Sequence, residues 1–122
     1  MSKFLIRAVA SGIKFDLKAA NGQTIATSET YTTEAACRRG IESVRRIAPD
    51  AAVEDRTEVG ACRLPHPKFE VYQDRAGAYR FRLKSANGRV VAVSEGYAAK
   101  SGCRGGIESV KKCAPQAPVE EM

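Results

Sequence analysis

The chain has 122 residues, a length that fits one compact domain or two very small ones. Hydrophobic residues make up 43% of it and charged residues 28%, which excludes an intrinsically disordered chain. The formal net charge of +6 favours polyanionic partners, although no basic tail is present. The first apolar run, at residues 4–6, is far shorter than a signal segment or a membrane span of about 20 residues. We therefore expect a cytoplasmic protein that does not associate with membranes.

Three short strands are predicted at the start of each of two similar units. In the second unit they are residues 68–73, 78–85 and 89–93. The first two strands flank a turn that ends in Gly77, where glycine permits positive φ. Asn87-Gly88 separates the second strand from the third, as Asn21-Gly22 does in the first unit. Asn-Gly is the preferred pair for a two-residue type I′ turn, so we predict two consecutive hairpins in each unit.

After the third strand the apolar period changes from two to about 3.6 residues, which predicts one helix per unit. The predicted buried helix faces carry Thr33, Cys37, Gly40, Ile41, Val44 and Ala48, and Ala99, Cys103, Gly106, Ile107, Val110 and Ala114. Pro49 and Pro115 end the helices, because the residue before a proline avoids helical geometry. We expect each helix to cover the apolar side of its strands, which carries Phe15 in the first unit and Phe81 in the second.

The two units are copies of one β-β-β-α motif. FDLKAANG at 15–22, SETY at 28–31 and CRRGIESV at 37–44 return as FRLKSANG at 81–88, SEGY at 94–97 and CRGGIESV at 103–110. We predict an α+β fold of tandem β(3)-α repeats, with antiparallel sheets, one helix per repeat and a pseudo-two-fold arrangement. The repeats span residues 1–49 and 68–116, and a linker spans 50–67. A unit of about 60 residues is marginal alone, so we expect one folding body with a shared core.

The repeated motifs resemble those of the YegP-like family of small bacterial proteins. The resemblance covers nearly the whole chain and rests on F-x-L-K-x-A-N-G, S-E-x-Y and G-I-E-S-V, each present twice. It implies a β-β-β-α motif in one or two copies, with two units packed about an approximate two-fold axis within one chain or between chains. It implies no activity and no catalytic residues, because the family has no established biochemical function.

A doubled Ser-Glu-x-Tyr motif lies where the third strand gives way to the helix. Its members are Ser28, Glu29 and Tyr31, and Ser94, Glu95 and Tyr97. A serine, a carboxylate and a tyrosine can form a small polar site. The favoured interpretation is structural: each tyrosine packs beneath the helix start, while the serine and glutamate satisfy free N–H groups at the helix end.

Small residues on the helix faces are predicted to have structural roles. Gly40 and Gly106 lie on the buried faces, where glycine costs about 1 kcal/mol relative to alanine. Close approach of the helix to the sheet or to the other helix is the expected compensation, with ligand access as the alternative. Cys37 and Cys103 are expected to be buried, reduced thiols, since disulfides are rare in cytosolic proteins.

A basic surface on the second unit is the best candidate for nucleic-acid binding. It comprises Tyr72, Arg80, Arg82 and Lys84 on the sheet, and the helix residues Lys100 and Arg104 add a second basic surface. Cations and an exposed ring suit phosphate contact and base stacking. The favoured alternative is a solvated face, in which Glu70 and Asp74 neutralise part of the charge by cross-strand pairing.

Catalytic groups are scarce in the sequence. The single histidine, His66, lies between two prolines in the linker, so no Ser-His or Cys-His pair joins two predicted elements. We predict no enzyme activity, no cofactor and no metal. The expected function is non-catalytic binding of an unknown macromolecular partner, through the sheet face or the groove between the units. Sequence-independent nucleic-acid binding is the alternative, and the expected state is a monomer with internal pseudo-symmetry or a weak homodimer.

Overall fold

A computed structural model describes residues 2–60 and 62–121 of the chain. The strands are β1 (Lys3–Val9), β2 (Gly12–Lys18), β3 (Thr24–Thr27), β4 (Ala52–Asp55), β5 (Lys68–Gln73), β6 (Tyr79–Lys84), β7 (Val90–Val93) and β8 (Val119–Glu121). The helices are α1 (Glu34–Ile47), which a short 3-10 turn follows at Ala48–Asp50, and α2 (Lys100–Cys113). Among the described residues, no helix has the length and apolar character needed to cross a membrane.

The strands form one continuous sheet in the order β4-β5-β6-β7-β3-β2-β1-β8. The equivalent strands β3 and β7 meet at its centre and run antiparallel, with Thr27 opposite Val93. An antiparallel pair of equivalent strands places the pseudo-two-fold axis perpendicular to the sheet, so both helices lie on the same face. Helix α1 contacts β2 and β7, and α2 contacts β6 and β3. The predicted α+β class and tandem repeats are confirmed, with the two antiparallel sheets joined into one.

Each unit contributes a strand to the other. Strand β4 follows α1 and pairs in parallel with β5 of the second unit, while β8 follows α2 and pairs in parallel with β1. The sequence pattern does not predict these strands, and β4 lies inside the predicted linker at 50–67. They are four and three residues long, and parallel pairing with the other unit leaves no hairpin signal. The limits assigned to the repeats and linker stay a prediction.

One hydrophobic core lies between the helices and the sheet. The predicted inward positions Phe15 and Phe81 are confirmed, and each is at most 1% exposed. Phe15 forms an edge-to-face pair with Phe4, and Phe81 forms the same pair with Phe69, with ring centroids 5.8 Å apart in both cases. Such a pair contributes about 0.5–1.5 kcal/mol beyond the burial of its area. The pseudo-symmetry therefore extends to ring packing in the core.

The Asn-Gly turns are not the predicted two-residue type I′ turns. Gly22 has φ of +86°, and Gly88 in the second unit has φ of +82°, but neither preceding asparagine has positive φ. A type I′ turn needs positive φ at both central residues. Ala19 N–H instead donates to Gln23 O at 2.8 Å across a three-residue loop. Asn21 Oδ1 accepts the N–H of Gln23 at 3.0 Å, a local bond that fixes the turn in this alternative geometry.

The serines of the Ser-Glu-x-Tyr motif do not cap the helices, contrary to the prediction. Ser28 Oγ accepts a backbone N–H of β2 at 2.9 Å, and Ser94 Oγ accepts one of β6 at 2.8 Å. Helix α1 begins further along the chain, where Thr33 is the N-cap. The glutamates Glu29 and Glu95 are exposed. The serines lie at buried strand ends, so their hydroxyls satisfy strand backbone groups rather than helix N–H groups.

The predicted packing of the tyrosines beneath the helices is confirmed. A Cβ added to Gly40 would overlap the hydroxyl of Tyr31, and one added to Gly106 would overlap the hydroxyl of Tyr97. The Gly106 methyl would also lie 3.0 Å from a ring carbon of Phe81. The helical glycines therefore allow the close approach that the sequence pattern predicts, and the tyrosine rings fill the space.

The helix-face cysteines are confirmed as core residues. Cys37 and Cys103 are both 0% exposed. Burial raises the pKa of the Cys37 thiol and of the Cys103 thiol, so both are protonated at neutral pH. Cys62 and Cys113 are also unpaired.

Candidate binding groove between the two units

A groove of about 440 Å³ lies where helix α1 of the first unit meets the β6–β7 turn of the second unit. Its lining residues are Glu29, Thr30, Tyr31, Thr32, Ala36, Arg39, Gly40 and Ser43 from the first unit, and Ser85, Asn87, Arg89, Val90 and Val91 from the second. Ligand sites commonly have volumes of about 300–1,000 Å³. The groove is therefore large enough for a small molecule or for a few side chains of a peptide.

Arg39 and Arg89 give the groove a positive charge. Both are exposed, and within residues 2–60 and 62–121 neither forms an ion pair with a carboxylate. Glu29 is the one carboxylate among the described lining residues. A guanidinium group presents N–H donors in a fork that matches a carboxylate or a phosphate. The groove can therefore receive an anionic group.

Tyr31 lines the groove, and its hydroxyl lies beneath helix α1 beside Gly40. Its ring stacks on Phe15, with centroids 6.4 Å apart and planes inclined by 15°. Burial raises the pKa of Tyr31 and the neighbouring Cys37 raises it further, while Arg89 opposes the shift. The phenol therefore stays protonated at neutral pH and acts as a hydrogen-bond donor.

The symmetry-related position in the other half of the molecule lacks these cations. In the repeat alignment Arg39 corresponds to Gly105, and Arg89 corresponds to Gln23. The tyrosine is repeated in both halves, but the two arginines are present in one half alone. The positive charge is thus specific to this groove and is not a general property of the repeated fold.

The predicted sheet residues Tyr72, Arg80, Arg82 and Lys84 lie together on the outer face of the sheet, whereas Lys100 and Arg104 lie on helix α2 on the other face. The cations of both sets are paired. Arg82 Nε donates to Glu70 Oε1 at 2.7 Å, and its guanidinium carbon lies 4.6 Å from the centroid of the Tyr72 ring. Lys84 Nζ lies 3.4 Å from Glu70 Oε1. The aromatic ring and both cations therefore already contact one another or a carboxylate.

The other predicted cations are paired as well. Arg80 Nε donates to Asp74 Oδ2 at 2.7 Å, while Lys100 and Arg104 lie 3.0 Å and 3.1 Å from Asp55 Oδ2. Burial alone would raise the pKa of Asp55, but local hydrogen bonds and these two cations hold it well below its usual range. The cross-strand pairing through Glu70 and Asp74 is thus present, and the binding role of the six residues stays a prediction.

A buried ionic network on the same outer face is not predicted by the sequence pattern. Lys68 Nζ lies 2.8 Å from Glu54 Oε1 and 3.3 Å from Glu70 Oε2, and all three side chains are at most 5% exposed. The hydrogen bond from Lys68 lowers the pKa of Glu54. Burial would raise the pKa of Glu70, but the hydrogen bond and charge of Arg82 lower it to about 2. The sequence contains one indication of this network, because Glu70 occupies the position at which the first unit has the apolar residue Leu5.

Comparison with known proteins identifies relatives of both units. The family model described as "Domain of unknown function (DUF1508)" matches residues 9–55 and 74–121. A UPF0339 protein from Pseudomonas aeruginosa is 35% identical over 122 residues, which cover 98% of this chain and 96% of the relative. A UPF0339 protein from Treponema denticola is 56% identical over 55 residues, 45% of this chain and 95% of the relative. The latter relative therefore corresponds to a single unit.

The likeness extends to the arrangement of the two units. The solution NMR structure of the protein of unknown function yegP from E. coli has a TM-score of 0.81 and 30% sequence identity. The match covers 98% of this chain and 91% of that one. The resemblance to YegP-like proteins is confirmed. The chain belongs to the DUF1508 family, with two copies of a domain whose function is unknown.

Proposed function

We propose that the protein is a non-catalytic binding protein that takes an acidic segment of a partner protein into the groove between its units. The observation that carries the proposal is the pair of exposed arginines, Arg39 and Arg89, one from each unit. No carboxylate within the described part of the chain forms an ion pair with either of them. A site built from both units exists only when the units are packed together, which links the function to the duplication.

The chemistry of the lining residues favours binding over catalysis. The described lining residues include hydroxyls and arginines, but neither histidine nor cysteine. A nucleophile requires an adjacent base, and the groove has Glu29 as its one carboxylate. Tyr31 is a protonated donor at neutral pH, because burial raises its pKa. These groups can hold an anion, and they do not form a nucleophile–base pair.

An acidic protein segment fits this charge distribution better than nucleic acid does. A polynucleotide presents a regular series of phosphates and needs a series of available cations along its path. The predicted cations of the sheet face are already paired with Glu70 and Asp74, and those of helix α2 are paired with Asp55. Two available arginines in one groove match two carboxylates instead. Sequence-independent nucleic-acid binding remains the alternative function.

The proposal predicts that a hexaglutamate peptide binds in the groove. Titration of the ¹⁵N-labelled protein at low salt should shift the amide resonances of Tyr31, Arg39 and Arg89. The double variant Arg39→Ala/Arg89→Ala should bind about tenfold more weakly or worse, because a hydrogen bond to a charged group contributes about 1.5–3 kcal/mol. The dissociation constant is read from the same titration.

The matched control is the double variant Arg46→Ala/Arg75→Ala, which removes the same charge from two exposed arginines outside the groove. Its affinity for hexaglutamate should stay close to that of the unchanged protein. Equal weakening in both double variants, or no resonance shift at all, would contradict the proposal. Tighter binding of an oligodeoxythymidylate of equal charge, with a steep loss on adding salt, would support the nucleic-acid alternative instead.

We also propose a cytoplasmic location. The four cysteines are unpaired, which agrees with a reducing compartment, since disulfides form mainly in oxidising ones.

A further inference from the structure

The segment that joins the two units is docked on the outer face of the second unit's sheet. Leu64 N–H donates to Glu54 Oε1 at 2.6 Å, and Lys68 Nζ donates to Leu64 O at 3.0 Å. Lys68 Nζ also donates to Glu54 Oε1 at 2.8 Å, so the lysine and glutamate hold both backbone groups of one residue. The ring of His66 lies 3.5 Å from the position that a Cβ on Gly88 would occupy. The chain therefore binds a short peptide segment of its own at this place.

The first unit has the same lysine–glutamate pair at the equivalent place. Lys3 lies opposite Lys18 across β1 and β2, as Lys68 lies opposite Lys84 across β5 and β6. Glu120 on β8 lies opposite Leu5, two residues after Lys3, as Glu54 on β4 lies opposite Glu70, two residues after Lys68. Lys3 Nζ lies 3.2 Å from Glu120 Oε1. Both units therefore have a lysine and a glutamate at equivalent positions of the sheet, and in both units the two side chains contact each other.

In the first unit this pair borders an open groove. Its volume is about 440 Å³, and it is lined by Lys3, Leu5, Lys18, Ala19, Ala20, Gly22 and Glu120. The side chains of the pair are 37% and 54% exposed, against 5% and 3% for the pair in the second unit. A Cβ on Gly22 would meet no described atom within 4 Å, whereas Gly88 has the His66 ring beside it. The segment that fills this place in the second unit thus has no counterpart in the described part of the first unit.

We propose that this first-unit groove binds an extended leucine-proline segment of a partner protein. One residue of that segment donates its N–H to Glu120 and accepts a hydrogen bond from Lys3 at its carbonyl oxygen, as Leu64 does with Glu54 and Lys68. A following proline suits the site, because it holds the preceding residue in an extended conformation and leaves both backbone groups available. Pro65 occupies this position in the chain's own segment.

The floor of the groove indicates an apolar side chain on the ligand. Leu5 occupies the place of Glu70, so the buried ionic network of the second unit is replaced by an aliphatic surface. Ala19 and Ala20 extend this surface along the β2–β3 turn. The site thus combines one backbone clamp with an apolar contact, which is a common combination in peptide recognition. It does not share a lining residue with the groove between the units.

The test is a titration of the ¹⁵N-labelled full chain with the capped peptide Arg-Leu-Pro-His-Pro, the sequence of residues 63–67. Amide resonances of Leu5, Gly22 and Glu120 should shift, with a dissociation constant of about 1 mM. Glu120→Ala removes the acceptor and should weaken binding about tenfold. The same loss is expected when the peptide carries N-methyl-leucine, which lacks the N–H donor and leaves the protein unchanged.

Glu121→Ala is the matched control, since Glu121 lies next along the exposed strand β8 and contacts Arg38 instead of Lys3. Glu121→Ala should leave the affinity for the peptide unchanged. The double variant Arg39→Ala/Arg89→Ala should also leave it unchanged, because those arginines line the groove between the units and not this one. A failure of the proposed function can thus be distinguished from a failure of this proposal. The proposal is overturned if resonances at the site do not shift at millimolar peptide, or if N-methylation or Glu120→Ala has no effect. It is also overturned if the same resonances shift with protein concentration alone, because the occupant would then be a second copy of the chain.

Discussion

Replacing Gly106 with alanine is expected to destabilise the protein by about 2 kcal/mol, although alanine normally favours a helix by about 1 kcal/mol. The added methyl would overlap the hydroxyl of Tyr97 and lie 3.0 Å from the ring of Phe81. Tyr97 cannot move away easily, because its backbone N–H and carbonyl are both bonded to Tyr79 at 2.8 Å. Overpacking of a core contact costs about 1–3 kcal/mol. The free energy of unfolding, measured with guanidinium chloride, should therefore fall.

The adjacent residue provides the control for this prediction. A Cβ on Gly105 would meet no described atom within 4 Å, and Gly105 is exposed on the same helix. Gly105→Ala should therefore stabilise the protein by about 0.5–1 kcal/mol through helix propensity alone. Two alanine substitutions one residue apart are thus expected to have opposite signs. A stabilising effect of Gly106→Ala would mean that the tyrosine ring does not occupy the space beneath the helix.

Replacing Glu70 with alanine is expected to cost about 3–5 kcal/mol of stability, the usual cost of breaking a buried ion pair by removing one partner. Glu70 is 1% exposed and lies within 3.4 Å of Lys68, Arg82 and Lys84. Its loss leaves Lys68, itself only 5% exposed, with Glu54 as its carboxylate partner. Urea unfolding at neutral pH measures the loss.

The exposed pair of the first unit is the control for the buried network. Glu120→Ala breaks the Lys3 contact on the same face of the sheet, where exposure limits the cost to below about 1 kcal/mol. Similar costs for Glu70→Ala and Glu120→Ala would show that the network is open to solvent.

The stabilisation from Glu70 should also depend on pH. Its pKa in the folded protein is about 2, below the ordinary value of 4.5. A carboxyl group with a depressed pKa stabilises the folded state fully above its unfolded-state pKa and loses that contribution as pH falls through 4.5 towards 2. The difference in unfolding free energy between the unchanged protein and Glu70→Gln should therefore be largest near pH 7 and shrink towards pH 3.

Local sequence patterns predict the elements that depend on local physics. The helices follow from the spacing of apolar residues such as Ile41 and Val44, which are both buried. The alternation around Phe15 correctly predicts which side of the strand faces the core. The Asn21-Gly22 pair predicts a turn at the correct place but not its type, because the asparagine side chain bonds to the backbone and changes the loop length.

The parts that the sequence does not predict depend on contacts between the units. Strand β4 is too short to have a recognisable period, and its pairing partner belongs to the other unit. The burial of Glu54 and Lys68 follows from that pairing and from the docked linker, so neither residue looks unusual in the sequence. The groove that holds Arg39 and Arg89 likewise forms only when both units are present.

The placement of β8 has a consequence for the biosynthesis of the protein. Strand β1 leaves the ribosome long before β8, although Phe4 of β1 pairs with Val119 of β8 in the folded sheet. Until β8 is made, β1 has one unpaired edge, and an open strand edge is a template for pairing with other chains. The partly exposed Lys3 and Arg7 are charged side chains of the kind that discourage such pairing. The nascent chain must therefore carry its protection against aggregation within β1 itself, long before the sheet is complete.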